Sequence, residues 1–414
     1  MYMNMSYTFA DMTPLHPFVV GIAFLSTYYV ALLGPILPAI AGPLGGDALA
    51  IGLLFSTYSL AQFLTAPVLG ALGDRFGRRT VLVVSVSGAL VGFSIFTIGA
   101  ATGAGLWTLF LGWIIVGACD CWIATAFSYV ADTTQPGYRT RFFAFLTAAI
   151  GSAFIVGPAT SGLFATASPV APLYVLLALL TLALVWGFVA MPESLPPEVR
   201  TAHLRVASMN PLSQLRDILR FPQLRLLLLS YLLFWPSVIA LSSNVPTLMA
   251  DGASWNTERI ASLLIIYGAL VVAVQLGVIP LLARRFRPIH LAIGGAGLAV
   301  AAFISLAAFA VTGSTSLVYL GVVLFGLGQP LVQTSLTAAM SESMPGHIQG
   351  RVQGAIAATM ALAQVIGPLM IGWLYQTAGA AVAYATISAQ IVVAIALMVV
   401  AIPRLAHAMA LQEA

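Results

Sequence analysis

One acidic side chain in this chain falls where an acid is costly. Asp120 sits in the apolar run 105–131, two residues from its middle, roughly 3 Å along a helix axis. The other acids near such runs, Asp132 and Glu342 among them, fall at run ends, and no arginine lies deep in any run. Burying an ionised carboxylate there costs several kcal/mol unless it is protonated, paired or facing water. With no basic partner in the runs, a proton or a bound cation is the remaining means of neutralising it. Asp120 is therefore the candidate proton-coupling group. A protonated Asp120 that only ties helices together through a backbone carbonyl is the structural alternative. Trp113, Gly117 and Asp120 follow an i, i+4, i+7 spacing and share one helix stripe, which is expected to face a central cavity. Tyr28, Gln62, Trp235, Asn244, Tyr267, Gln329 and Gln333 are neutral polar or aromatic residues of other runs placed to complete a substrate-binding cavity. Each alone also fits an interhelical hydrogen bond or a lipid-interface position. Gln329-Pro330 occupies the internal-repeat counterpart of Asp120, where proline leaves a carbonyl free.

Other chemistries find no residues. There is no phosphate-binding Walker loop, so nucleotide hydrolysis is not the driver. The five histidines fall in tails, loops or run ends. Cys119 and Cys121 are the two cysteines, and two residues apart on a helix they point away from each other, which suits neither a disulfide nor a metal site. No catalytic constellation, metal or cofactor is implied, and the chain does not read as an enzyme.

The elements that must position these residues are helices in a bilayer. Of 414 residues, 60% are hydrophobic and 7% charged, and apolar runs of spanning length recur along the chain. Twelve spans are expected, at 17–41, 49–70, 80–101, 105–131, 141–167, 170–191, 222–249, 257–282, 289–312, 315–341, 351–376 and 379–402. Residues 1–16 read as a short tail with no cleavable signal pattern. The longest break, 192–221, is proline- and arginine-rich and separates residues 1–191 from residues 222–414. Within it, Asn210-Pro211 begins a short amphipathic helix expected on the membrane surface. All sixteen basic residues are arginine, and every one except Arg259 falls on the same side of this topology. That side is the cytoplasm, and both termini lie there. The net charge of +4 suits anionic headgroups rather than nucleic acid. At an offset of 210 residues, Arg75-Phe76 recurs as Arg285-Phe286, Asp132 as Glu342, Arg141 as Arg351, Gly157-Pro158 as Gly367-Pro368 and Gly162 as Gly372. Two parallel repeats of six spans place a substrate site between them near the midplane.

The stretch Gly70-Ala71-Leu72-Gly73-Asp74-Arg75-Phe76-Gly77-Arg78-Arg79-Thr80 is a charged turn between two runs. Its glycines allow a sharp turn. Asp74 is expected to accept from the free N–H groups of the helix that follows. The spacing resembles the signature loop of the major facilitator superfamily. Within that family the first half is similar to the tetracycline/proton antiporters and related drug exporters. The likeness is carried by Tyr58-Ser59-Leu60-Ala61-Gln62-Phe63, Ala66-Pro67-Val68-Leu69, Gly112 to Gly117 leading to Tyr129-Val130-Ala131-Asp132, and Gly157-Pro158-Ala159-Thr160-Ser161-Gly162. In the second half it is carried by Gly350-Arg351-Val352-Gln353-Gly354 and Gly367-Pro368. The resemblance implies an all-α membrane fold of twelve transmembrane helices in two pseudo-symmetric six-helix bundles. It implies that Gly70, Asp74, Arg75, Gly77, Arg78 and Asp132 form a gating charge relay. It also implies that Gly157, Pro158, Gly367 and Pro368 gate through close packing or hinging, and that Gln62 faces substrate.

The departures bear on substrate. Where the tetracycline exporters carry a first-helix carboxylate, a third-helix carboxylate and a fourth-helix arginine, this chain has Ser26, Gly92 and Trp113. A magnesium–tetracycline chelate wants those charges. The resulting expectation is a secondary transporter that exports small amphipathic or cationic organic compounds in exchange for protons. It would act as a monomer, with both termini inside a cell inner membrane. An uptake symporter or facilitator of a defined solute, a lipid or lysolipid translocase and a receptor-like sensor are the alternatives.

Overall fold

The computed structural model describes residues 16–134, 139–195, 198, 200, 222–344 and 349–413. Twelve helices are long and apolar enough to cross a membrane, and they are numbered here as spans 1 to 12. Spans 1 to 6 are Pro17–Leu44, Ala48–Phe76, Arg78–Thr102, Leu106–Thr133, Phe142–Phe164 and Ala171–Val189. Spans 7 to 12 are Leu224–Ser243, Thr257–Leu282, Pro288–Thr312, Thr315–Glu342, Arg351–Ala378 and Ala380–Pro403. No strand occurs among the described residues. The tail through residue 15 and the helix expected after Asn210-Pro211 lie outside them. The arginine-bearing turns, 75–79 and 284–287, gather at one end of the molecule, called here the arginine end.

Three expected spans are not uniform α-helix. Span 4 breaks at Asp120 and Cys121, with helix on either side at Leu106–Cys119 and Trp122–Thr133. The run expected over 222–249 ends at Ser243, and a separate helix, Val245–Ala253, follows Asn244. Pro246 lacks the N–H that would continue the ladder, so the chain restarts there. Span 8 carries a π-turn at Val274–Val278, just before Pro280, where an added residue relieves the ring's clash with the preceding turn. The last helix runs beyond the expected 402, to Glu413.

The buried apolar side chains form two large clusters. One runs from Phe18 to Met191 and the other from Leu224 to Ala401. Where the halves meet, glycine permits backbone contact. A Cβ on Gly52 in span 2 would strike the Pro368 carbonyl of span 11, and one on Gly372 would lie 3.2 Å from the Leu49 Cα. A Cβ on Gly162 in span 5 would lie 3.1 Å from the Ala261 Cβ of span 8, and one on Gly34 in span 1 would lie 3.1 Å from the Ser242 carbonyl oxygen. All these positions are in the half of the molecule away from the arginine end. Towards the arginine end, Gly70 in span 2 and Gly277 in span 8 have nothing within 4 Å of an added Cβ. The halves are thus in backbone contact at the far end, and Gly70 and Gly277 face open space.

Candidate functional site

At the break in span 4 the Asp120 backbone is extended, with φ −84° and ψ 97°. Aspartate side chains compete with helix hydrogen bonding in this way, and the Trp122 N–H lies 3.5 Å from Asp120 Oδ1. The carboxylate is buried. Its Oδ2 accepts from the Tyr29 hydroxyl of span 1 at 2.5 Å and also from the Tyr58 hydroxyl of span 2. The two phenol oxygens are 3.2 Å apart. Two charge-assisted donors on one oxygen partly replace the water lost on burial. Neither partner is basic, and no arginine pairs with Asp120 among the described residues.

The stripe Trp113, Gly117, Asp120 is present, but it faces span 2 rather than the seam between the halves. The Trp113 ring stacks on Tyr58 at 4.7 Å between centroids and packs edgewise on Tyr29, Phe55 and Phe93. Gly117 lies against the Tyr58 backbone, where a Cβ would sit 3.0 Å from the Tyr58 Cα. Trp113 is 2% exposed. It is a core side chain of the first half, and the expected cavity-facing stripe is corrected accordingly. The reason is local: Gly92 and Gly112 bring spans 3 and 4 so close that a Cβ on Gly92 would meet the Val116 side chain at 2.7 Å. That draws the Trp113 ring inward.

Sequence reasoning did not assign Tyr29 and Tyr58 as the partners of Asp120. Tyr29 adjoins the selected Tyr28, and Tyr58 begins one of the motif runs. Their only advance signal was a hydroxyl in an apolar run. Tyr28 itself is buried and stacks on Phe24 at 5.3 Å. Gln62 is half-buried on span 2, one turn beyond Tyr58.

In the second half, Trp235, Asn244, Tyr267 and Gln329 are buried and Gln333 is half-buried. Gln329 Nε2 donates to Gln333 Oε1 at 2.6 Å. Tyr267 stacks with Phe325 at 6.1 Å, which places spans 8 and 10 face to face. Trp235 Nε1, Gln329 Oε1 and both amide atoms of Asn244 have no hydrogen-bond partner among the described residues. Buried polar atoms without partners are uncommon in folded proteins. Span 10 continues as helix through Gln329-Pro330, so the internal-repeat counterpart of Asp120 keeps the helix that Asp120 breaks.

The arginine end of the first half is a closed network. Asp74 was expected to cap span 3. It lies instead in the last turn of span 2 and pairs with the Arg78 side chain at 2.7 Å. The free N–H groups of span 3 go to Glu193, just past span 6, whose Oε1 accepts from the Arg78 N–H at 2.7 Å and from Arg79 at 3.4 Å. Tertiary packing thus supplies a cap that sequence reading assigned to the nearest acid. Gly77 has a φ of +104°, and a Cβ there would collide with the Glu193 carboxylate, so backbone and space both require glycine. Arg78 Nε also reaches Asp132 Oδ2 at 3.3 Å. Arg75 lies over the Phe76 ring at 5.1 Å. At the internal-repeat counterpart of Gly77, 210 residues on, Arg287 has an ordinary backbone with φ −66°.

The helices that carry Gly157-Pro158 and Gly367-Pro368 run on through both prolines. Gly157 packs against span 1, where a Cβ would lie 2.8 Å from the Ala31 Cβ, and Gly367 packs against Pro236 of span 7 at 3.1 Å. Each motif therefore holds its own half with its first glycine. The opposite half is met at Gly162 and Gly372, five residues later, and in the second motif also at Pro368 itself, which faces Gly52 of span 2. Ser161 donates to the Leu32 carbonyl at 2.6 Å.

Twelve apolar helices, two cores and glycine seams between them define a multi-pass helical membrane protein of the secondary-transporter type. The chain belongs to the Major Facilitator Superfamily, whose family model matches residues 19–368. It is 31% identical over 366 residues to the tetracycline resistance protein, class C, of Escherichia coli, covering 86% of this chain and 88% of that one. It is 28% identical to major facilitator superfamily domain-containing protein 10 of Bos taurus, covering 82% and 75% of the two chains. Among solved structures, the human organic anion transporter MFSD10 superposes with a TM-score of 0.68 at 22% identity, over 93% of this chain and 100% of that one. A peptide transporter of the POT type superposes with a TM-score of 0.77 at 15% identity, over 95% of each chain.

Proposed function

We propose that this protein is a proton-coupled exporter of small amphipathic organic compounds, cationic ones included, and that it works as a monomer by alternating access. The observation that carries the reading is Asp120, a carboxylate held inside the first half by two tyrosine hydroxyls at a break in span 4, with no base to neutralise it. An ionised Asp120 accepts from both hydroxyls. Once protonated, for example on Oδ1, the carboxyl still accepts from the two hydroxyls at Oδ2, but without the charge that strengthens those bonds, so its hold on the two tyrosines weakens. Those tyrosines belong to spans 1 and 2, and span 2 forms the far-end seam with span 11. Proton binding at Asp120 therefore acts on the seam through Tyr58 rather than through contact with substrate.

Substrate recognition is assigned to the polar and aromatic residues inside the two halves. There Trp235, Asn244 and Gln329 carry unpartnered polar atoms, with Tyr28, Gln62, Tyr267 and Gln333 completing the set. Tetracycline fits poorly, because the space at Gly92 excludes a carboxylate-bearing side chain and Trp113 is locked in an aromatic core. The arginine end is assigned to the cytoplasm by the positive-inside rule, which puts the glycine seam of spans 2 and 11 on the outer side. In the outward state the Asp74, Arg78, Asp132 relay would brace against the second half. Residues 1–191 and 222–414 are taken as the two rocking bundles, joined by 192–221.

The test is gradient-driven transport of a fluorescent cationic dye in proteoliposomes, with an organic anion beside it because the human organic anion transporter MFSD10 has a similar structure. Asp120→Asn should abolish accumulation driven by a proton gradient while dye binding and gradient-free exchange persist. Equal accumulation in the two proteins would leave Asp120 as a structural tie and favour a facilitator. Lost binding would place Asp120 in the substrate site.

A further inference from the structure

A groove of about 660 Å³ runs along the outer, membrane-facing surface of the first half, between spans 3, 4 and 6. Arg79 and Thr80 stand at its arginine-end mouth. Val84, Gly88 and Val91 continue along span 3, and Cys119 closes it from span 4. The stripe from Thr80 to Val91 covers eleven helical steps, roughly 16 Å of axis. That is about half of a ~30 Å hydrocarbon core, the depth of one leaflet. Val84 and Val91 are about half exposed, so the floor is apolar and open to lipid. Gly88 makes the groove concave, because the Cys119 side chain occupies the space its Cβ would take.

The mouth carries uncommitted positive charge. Arg78 is engaged by Asp74 and Asp132. Arg79 has no carboxylate partner among the described residues, and its Nη2 donates only to the Phe188 carbonyl, at 2.8 Å. Oε1 of the nearby Glu193 accepts from backbone N–H groups of span 3 and of residues 194 and 195, and no ion pair joins Glu193 to Arg79 among the described residues. The guanidinium thus sits at headgroup depth with donors to spare, and the Thr80 hydroxyl lies beside it. We propose that this groove is a binding site for one anionic phospholipid of the leaflet at the arginine end. The lipid phosphate sits on Arg79 and one acyl chain lies along span 3 to Cys119. Charge complementarity at the mouth and the one-leaflet length select this occupant over a soluble anion, which would leave the apolar floor unfilled.

The experiment is native mass spectrometry of protein released from nanodiscs of equal phosphatidylcholine and phosphatidylglycerol with matched acyl chains. Wild type should retain one phosphatidylglycerol in about fivefold preference, the size of one arginine's attraction to an anionic surface. Arg79→Gln should abolish the preference and leave phosphatidylcholine retention unchanged. Val84→Trp, which fills the groove, should reduce retention of both lipids. Arg285→Gln, an exposed arginine on the other half, should behave as wild type. Equal retention of the two lipids by wild type, a preference that survives Arg79→Gln, lipid retention unaffected by Val84→Trp, or an equal loss in Arg285→Gln would each overturn the site.

Discussion

Tyr58 touches each member of the span 4 stripe: it stacks on Trp113, its backbone receives Gly117, and its hydroxyl donates to Asp120. Replacing it with phenylalanine keeps the ring and the packing and removes one donor. A hydrogen bond to a charged group contributes about 1.5–3 kcal/mol, so proton-driven turnover in Tyr58→Phe should fall by about tenfold or more. Equilibrium binding of dye should change little, because Tyr58 is buried and its ring and hydroxyl are engaged with Trp113 and Asp120. Tyr29→Phe should act in the same direction, and the double variant should lose less than the product of the two, since both hydroxyls serve one oxygen. A binding defect with turnover intact at saturation would move Tyr58 into the substrate site.

At the scale of helices, the seam of spans 2 and 11 rests on Gly52 and Gly372. Valine at position 52 would drive a methyl-bearing Cβ into the Pro368 carbonyl, a backbone atom that cannot swing aside. Overpacking of this kind costs about 1–3 kcal/mol, and the conformation without the contact avoids that cost. Gly52→Val should therefore shift the population towards a state open at the far end by about tenfold or more. Labelling of Leu49→Cys by an impermeant maleimide reads this out, and the rate should rise in the Gly52→Val background. An unchanged rate would mean that the seam stays closed through other contacts. The arginine-end loop is the contrasting case. There the Gly77 turn and the Arg78 pairs lie within the first half and the Glu193 cap at the start of the joining segment, so none of them ties that end to the second half.

For the whole molecule, the parallel repeat puts Phe76 and Phe286 at matching turns, and both are about half exposed. Cysteines introduced at these two positions should react with impermeant thiol reagents from the cytoplasmic side alone. Reaction of either from outside would overturn the orientation.

The spans and their number were legible in the sequence because bilayer thickness sets a length of apolar residues, a local property of the chain. The repeat was legible because Gly-Pro and Arg-Phe pairs recur at a fixed offset. Asp120 stood out for the same reason, since a lone acid in an apolar run needs no structure to be conspicuous. Its partners did not stand out. Tyr29 is 91 residues away and Tyr58 is 62, and which of many hydroxyls meets a carboxylate depends on how spans 1, 2 and 4 rotate against one another. Periodicity put Trp113, Gly117 and Asp120 on one stripe. It could not say that the stripe faces Tyr58, because the direction a helix face points is fixed by neighbouring helices and by close contacts such as Gly92 on Gly112. Glu193 was passed over in favour of Asp74 because sequence proximity is a poor guide to which carboxylate reaches a helix end. Hydropathy thus determined what crosses the membrane, and helix packing decided which polar groups meet inside it.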